Sequence, residues 1–144
     1  MSRSLLRLMV VVICSMTAPL AFAQTPGGPP PAVEPDEGIT ILFETGRAEL
    51  RNDQLDRLDR AARLFRDGNP IVMVITGTAD TIGPPSSNLD LSIDRARAVA
   101  RGLVARGIPI ERLQILGQGN SELPVPTEDN VAKAENRSAR ITWR

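Results

Sequence analysis

The chain has 144 residues, with 17 basic side chains balanced by 17 acidic ones, no histidine, one cysteine and 3% aromatic residues. Balanced charge excludes a strongly basic nucleic-acid binder, and so few rings leave no stacking surface for single strands. Without histidine the commonest general base is missing, and neither a His/Cys metal set nor an EF-hand spacing is present.

The first 23 residues read as a signal peptide. Arg3 and Arg7 form a positive start, Leu8–Met16 is an apolar run, and Ala21-Phe22-Ala23 is an A-x-A cleavage site. The run is well short of the roughly 20 residues that span a bilayer, so no transmembrane segment is expected after cleavage. Cys14 lies inside the apolar run behind Ile13, where a lipidated cysteine would follow a small residue, so no lipid anchor and no thiol chemistry are expected. Cleavage removes Arg3 and Arg7 and no acid, leaving 15 basic residues against 17 acidic ones. Residues 24–38, QTPGGPPPAVEPDEG, hold five prolines and three glycines and read as an extended Pro/Gly-rich linker. At about 3.1 Å per residue such a linker reaches roughly 45 Å.

Residues 39–144 suit one domain with one core. Ile39–Phe43 is a short apolar strand. Asn52 can cap a helix whose apolar positions Leu55, Leu58, Ala62 and Phe65 share a face, and Asp67-Gly68-Asn69-Pro70 ends it. Its other face alternates Asp and Arg, the pattern of a solvated surface laced with i,i+3 and i,i+4 pairs. Ile71–Thr76 is apolar throughout and predicts a central strand buried on both faces. A second helix is expected from Asn88 to Arg106, with Ala96, Val99, Ala100, Leu103 and Val104 inward, ended by Gly107-Ile108-Pro109. Leu113–Leu116 is a third strand, and Gly117–Asn130 a long loop. Ala139, Ile141 and Trp143 alternate with Arg140 and Thr142, as in a strand with one buried face. The order β-α-β-α-β-β predicts an α+β two-layer sandwich, helices on one face of a mixed four-stranded sheet.

The stretch Gly77–Ala96, GTADTIGPPSSNLDLSIDRA, carries the chemistry. Asp80 sits in a loop, while Asn88, Ser92 and Arg95 fall at i, i+4 and i+7 on one helix face. An arginine fork grips a carboxylate, helix N–H groups favour the same charge, and an aspartate takes an ammonium; together they suit a zwitterion. The competing reading is a structural pair, in which Asp80 and Arg95 bind each other. No second carboxylate converges on Asp80, since Asp90 and Asp94 fall off that face, so paired-acid glycosidase chemistry is not signalled and no catalytic residue is assigned.

The same stretch resembles the OmpA-like peptidoglycan-binding domain, through Gly77, Asp80, Gly83, Asn88, Leu91, Ser92, Arg95 and Ala96. The resemblance continues in Phe43–Leu50 (FETGRAEL), in Gly117–Pro124 (GQGNSELP) and in Asn136–Arg137, which places an OmpA-like domain over residues 39–144. It implies non-catalytic binding of peptidoglycan through the diaminopimelate of the stem peptide, with Asp80 and Arg95 as ligand residues. Thr78, Asn88, Ser92 and Arg137 are implied as supports, with no cofactor and no metal. It also implies a periplasmic, wall-associated protein of the cell envelope, peripheral to the outer membrane. The alternative is an adaptor whose tether meets another envelope protein and whose wall binding has degenerated. The family's usual His-Thr is Thr78-Ala79 here, an aromatic before the Asn is Ser87, and the residue after Arg137 is Ser138 rather than basic.

Overall fold

The computed structural model describes residues 38–144; the expected signal peptide (1–23) and all but the last residue of the expected linker (24–38) lie outside the described residues. The strands are β1 (Ile39–Leu42), β2 (Met73–Gly77), β3 (Leu113–Gly117) and β4 (Ser138–Trp143), and the helices are α1 (Leu55–Gly68) and α2 (Pro85–Val104). They form one four-stranded sheet in the order β1-β4-β2-β3. β4 runs antiparallel to β1 and β2, with Ile141 opposite both Ile39 and Ile75, while β3 runs parallel to β2 with Gly77 opposite Gly117. The architecture is the expected α+β arrangement with a mixed sheet.

The core lies between the sheet and the helices. Ile41, Met73, Ile75, Ala139 and Ile141 meet Leu58, Ala61, Ala96, Val99 and Leu103, all without solvent exposure. Burying one such large aliphatic side chain stabilises the fold by about 1.5–3 kcal/mol. Because helices cover one face only, β2 alternates: Met73, Ile75 and Gly77 are buried, while Val74 and Thr76 are half-buried. The apolar run of β2 therefore does not mean burial on both faces, although the strand is central. Val104, expected in the helix stripe, is likewise exposed: it is the last residue of α2 and turns to a groove shared with Ile110 and Ile115.

Two helix starts differ from expectation for local reasons. Asn52 opens a single 3-10 turn, Asn52–Gln54, and makes no capping bond to α1, which begins at Leu55 behind Gln54. The second helix starts three residues before Asn88, at Pro85, whose missing N–H and fixed φ suit the first helical position. Asn88 thus lies one turn inside α2, its N–H already bonded to Pro84 O at 3.0 Å, and is not a cap.

Close approach of α2 to the sheet depends on two glycines. A Cβ at Gly77 would stand 1.9 Å from the Ser92 carbonyl oxygen, and one at Gly117 would stand 2.3 Å from Ile93 Cγ1. No side chain fits at Gly77 while α2 keeps its place, and one at Gly117 would push the Ile93 and Ser92 side chains aside, so the paired glycines let the helix lie directly on the ends of β2 and β3.

Candidate functional site

The candidate site forms where β2 runs out into the loop before α2. Thr78 N–H donates to Ser138 O at 2.8 Å, and Ala79 N–H donates to Gly119 O at 2.8 Å, which carries the extended backbone past the strand end. Thr78 Oγ1 and Ser138 Oγ lie 3.0 Å apart in a hydrogen bond. Ser92, fully buried beneath, donates to Leu89 O at 2.7 Å and accepts from Gly119 N–H at 2.9 Å. Its hydroxyl therefore joins α2 to the loop after β3. Thr78 and Ser92 brace the floor of the site from two sides.

Asp80 is 5% exposed. Its Oδ2 accepts one hydrogen bond, from Arg137 Nη1 at 3.4 Å. That contact is long beside the 2.7–2.9 Å of a well-formed charge-assisted bond. Its other oxygen makes no hydrogen bond among the described residues and is not one of the fully enclosed polar atoms. Asp80 therefore keeps unused acceptor capacity on a side chain that is 7% exposed.

Arg95 is 0% exposed and lies inside the domain rather than at its surface. Its Nε donates to Arg47 O at 2.9 Å, Nη1 to Thr78 O at 2.8 Å and Nη2 to Glu44 O at 3.0 Å. The guanidinium carbon stands 5.5 Å from the centre of the Phe43 ring, within cation–π range. Burial pulls the guanidinium pKa down to about 10, with Asp80 opposing that shift and Arg137 adding to it. The group stays charged at neutral pH. No ion pair links Arg95 and Asp80: the two sense each other electrostatically while Arg95 ties α2 to the Glu44–Arg47 turn. The structural-pair reading, in which the two side chains bind each other, is not what this geometry shows.

The remaining expected residue, Arg137, approaches Asp80 from the turn before β4. Its side chain is 16% exposed, and Nε also reaches Phe43 O at 3.4 Å. Asn88 is buried, and its Nδ2 donates to Gly83 O at 3.4 Å, bracing the loop ahead of α2. The structure thus gathers Thr78, Asp80, Asn88, Ser92, Arg95 and Arg137 at one end of the sheet, with Arg95 beneath and Arg137 beside the aspartate.

Three further residues shape the site without a role having been read for them in the sequence, although Phe43 and Asn136 stand in the resembling blocks. Thr81 Oγ1 donates to Glu128 O at 2.7 Å and accepts from Val131 N–H at 3.0 Å, fastening the long loop beside Asp80. Asn136 holds both main-chain groups of Val125, at 2.7 and 2.9 Å, fastening the same loop from the other end. Phe43 supplies the ring under Arg95. Nothing local announces these contacts, since each joins segments far apart in sequence. Among the described residues no group of three or more metal-ligating side chains occurs, and no helix is long and apolar enough to cross a membrane.

A family model described as the OmpA family matches residues 42–137, which includes Asp80, Arg95 and Arg137. The chain belongs to the OmpA family. A peptidoglycan-associated lipoprotein of Mesorhizobium japonicum is 32% identical over 106 residues, covering 73% of this chain and 62% of that relative. Outer membrane protein A of Yersinia pseudotuberculosis is 38% identical over 98 residues, covering 63% of this chain and 27% of the relative. The chain therefore spans less than two thirds of the length of these relatives. The peptidoglycan-associated lipoprotein of Burkholderia pseudomallei superposes with a TM-score of 0.67 at 22% identity, over 73% of this chain and 89% of that one, a likeness of fold.

Proposed function

We propose that this OmpA-family domain is a non-catalytic module that binds peptidoglycan in the cell envelope, through the zwitterionic diaminopimelate of the stem peptide. The observation that carries the proposal is the state of Asp80: a shielded carboxylate with one loose partner, one oxygen still open, and two arginines within its field. In this reading Asp80 accepts the ligand's side-chain ammonium. Arg137, the cation with solvent access, turns from Asp80 toward the ligand's carboxylate. Arg95 contributes fixed positive potential from below and holds Thr78 and the Glu44–Arg47 turn, and its remaining N–H groups serve the carboxylate where that turn gives way. The relatives named for association with peptidoglycan support the class of ligand, and the envelope as the place. Export through residues 1–23 and a periplasmic position on a 24–38 tether complete the reading.

Sedimentation with purified, protein-free peptidoglycan tests it. Wild-type protein should pellet with the polymer, and Asp80→Ala should lose about ten- to a hundredfold in affinity, the worth of a charge-assisted contact at 1.4 kcal/mol per tenfold. Wild-type protein that stays in the supernatant would reject the proposal in favour of an adaptor with degenerate wall binding.

A further inference from the structure

β4 outruns its edge partner. On the β2 side it stays paired to its end: Trp143 lies opposite Met73, Arg144 N–H donates to Val72 O at 3.1 Å, and Arg144 O accepts from Ile71 N–H at 2.8 Å. On the β1 side the pairing stops at Ile141 opposite Ile39, so Thr142, Trp143 and Arg144 have no strand beside them there among the described residues. Successive residues of an antiparallel strand turn their main-chain groups to opposite sides. Phe43 N–H donates to Arg137 O at 2.8 Å, so odd-numbered residues of this segment face β1, while Ser138 and Arg144 bond toward β2. Trp143 is therefore the residue whose N–H and C=O point to the unpaired side.

Beside that end lies a groove of about 560 Å³ with apolar walls and a basic rim. Ile39, Leu64 and Trp143 are the apolar part, and Arg57 and Arg60 precede Leu64 at helical spacing on one face of α1. Arg60 and Arg144 are exposed, and their side chains have no hydrogen bond or ion pair among the described residues. Gly38, the last residue of the Pro/Gly-rich linker, lines the same groove. The five residues before it, Val33-Glu34-Pro35-Asp36-Glu37, carry three acids and no base.

We propose that this acidic end of the linker is what the groove and the end of β4 receive: Asp36–Gly38 continue β1 backwards along β4, and the acids meet Arg57, Arg60 and Arg144. Length and register agree. Continuing the pairing of Ile39 with Ile141 sets Gly38 opposite Thr142, Glu37 opposite Trp143 and Asp36 opposite Arg144. Three linker residues thus match three unpaired residues, and Pro35, which has no N–H to give a ladder, ends the extension on an edge where proline is tolerated. Side chains alternate along a strand, so Glu37 shares the helix side with Ile39 and comes to Arg57 and Arg60, while Asp36 shares the other side with Arg144. Opposite charges placed across a strand pair favour that register over its neighbours. Glu37 is also the residue whose main chain meets the N–H and C=O of Trp143. The far end of β4 carries Ser138, which bonds Thr78 at the floor of the candidate site. The linker therefore leaves the domain at the end of the sheet opposite the Asp80 loop, and its seating does not depend on what Asp80 binds.

Amide exchange read residue by residue tests this on the protein as exported, with Trp143 as the reporting amide. In wild type it should exchange at least about tenfold more slowly than an unprotected amide, and equally so at every protein concentration. Asp36→Arg with Glu37→Arg should speed that exchange about tenfold, while the amides of β2 at the sheet centre keep their protection. Adding Arg60→Glu and Arg144→Glu to the double variant should bring protection of Trp143 back at least in part, because the opposed pairs are rebuilt with their signs exchanged. A wild-type Trp143 amide that exchanges as an unprotected one overturns the proposal, and so does protection that the double variant leaves unchanged or that the added substitutions do not restore at all. Protection that rises with protein concentration would put a second copy on this edge, and overturns it as well.

Discussion

The two arginines around Asp80 occupy opposite kinds of ground. Below the aspartate, Arg95 is sealed between α2, Phe43 and three carbonyl oxygens, and its contacts join segments up to 51 positions apart. Beside it, Arg137 is partly solvated and holds two contacts, both at 3.4 Å. A buried cation satisfied by backbone fixes a shape; a loosely held one can exchange its partner. The contrast teaches that one charged cluster divides into a part locked into the fold and a part held only loosely.

Breaking the lower half should have the largest effect. Arg95→Ala leaves the carbonyls of Glu44, Arg47 and Thr78 without their donor inside the domain, and thermal or urea unfolding should show a loss of about 3–5 kcal/mol, with wall binding lost in step. Arg95→Lys should recover only part of this, because an ammonium cannot reproduce the fork that reaches three separated oxygens. Gly77→Ala probes the same floor without touching a charge. Its Cβ would force α2 off the strand at Ser92, for about 3 kcal/mol in the same unfolding measurement. Arg137→Ala should separate the halves: stability within about 1 kcal/mol of wild type, since the pair is long and partly screened, but peptidoglycan affinity down about tenfold. An Arg137→Ala protein that unfolds like Arg95→Ala would erase the distinction between the two arginines.

Much of the fold was legible because its signals are local. The 3.6-residue stripe of α2, the alternation of Ala139, Ile141 and Trp143, and the breakers after Gly68 and Arg106 each place an element within a few residues. Where local signals misled, a tertiary fact decided. Ile71–Thr76 reads as buried on both faces, but helices cover only one, so Val74 and Thr76 remain half-exposed. Asn88 has the chemistry of a cap, yet Pro84 and Pro85 start the helix a turn earlier. The candidate site was legible as a set of residues through its motif, and not as a geometry. Spacing puts Asn88, Ser92 and Arg95 on one face; it does not say that the carbonyls of Glu44 and Arg47 will converge on Arg95. Nor does it say that Thr81 and Asn136 will fasten the 125–131 loop, or that Arg137 will stand nearer to Asp80 than Arg95 does.

The central claim is that the open oxygen of Asp80 receives the ammonium of a ligand whose carboxylate faces arginine. Calorimetric titration with soluble stem peptides tests it most directly, using one peptide with diaminopimelate and one with lysine in its place. Lysine keeps the ammonium and lacks the second carboxylate. Wild-type protein should bind the diaminopimelate peptide at least about tenfold more tightly than the lysine peptide. Asp80→Asn, of nearly the same size and without the charge, should bind neither while melting as wild type does. Equal affinity for both peptides, or an Asp80→Asn protein that binds as wild type does, would contradict the account.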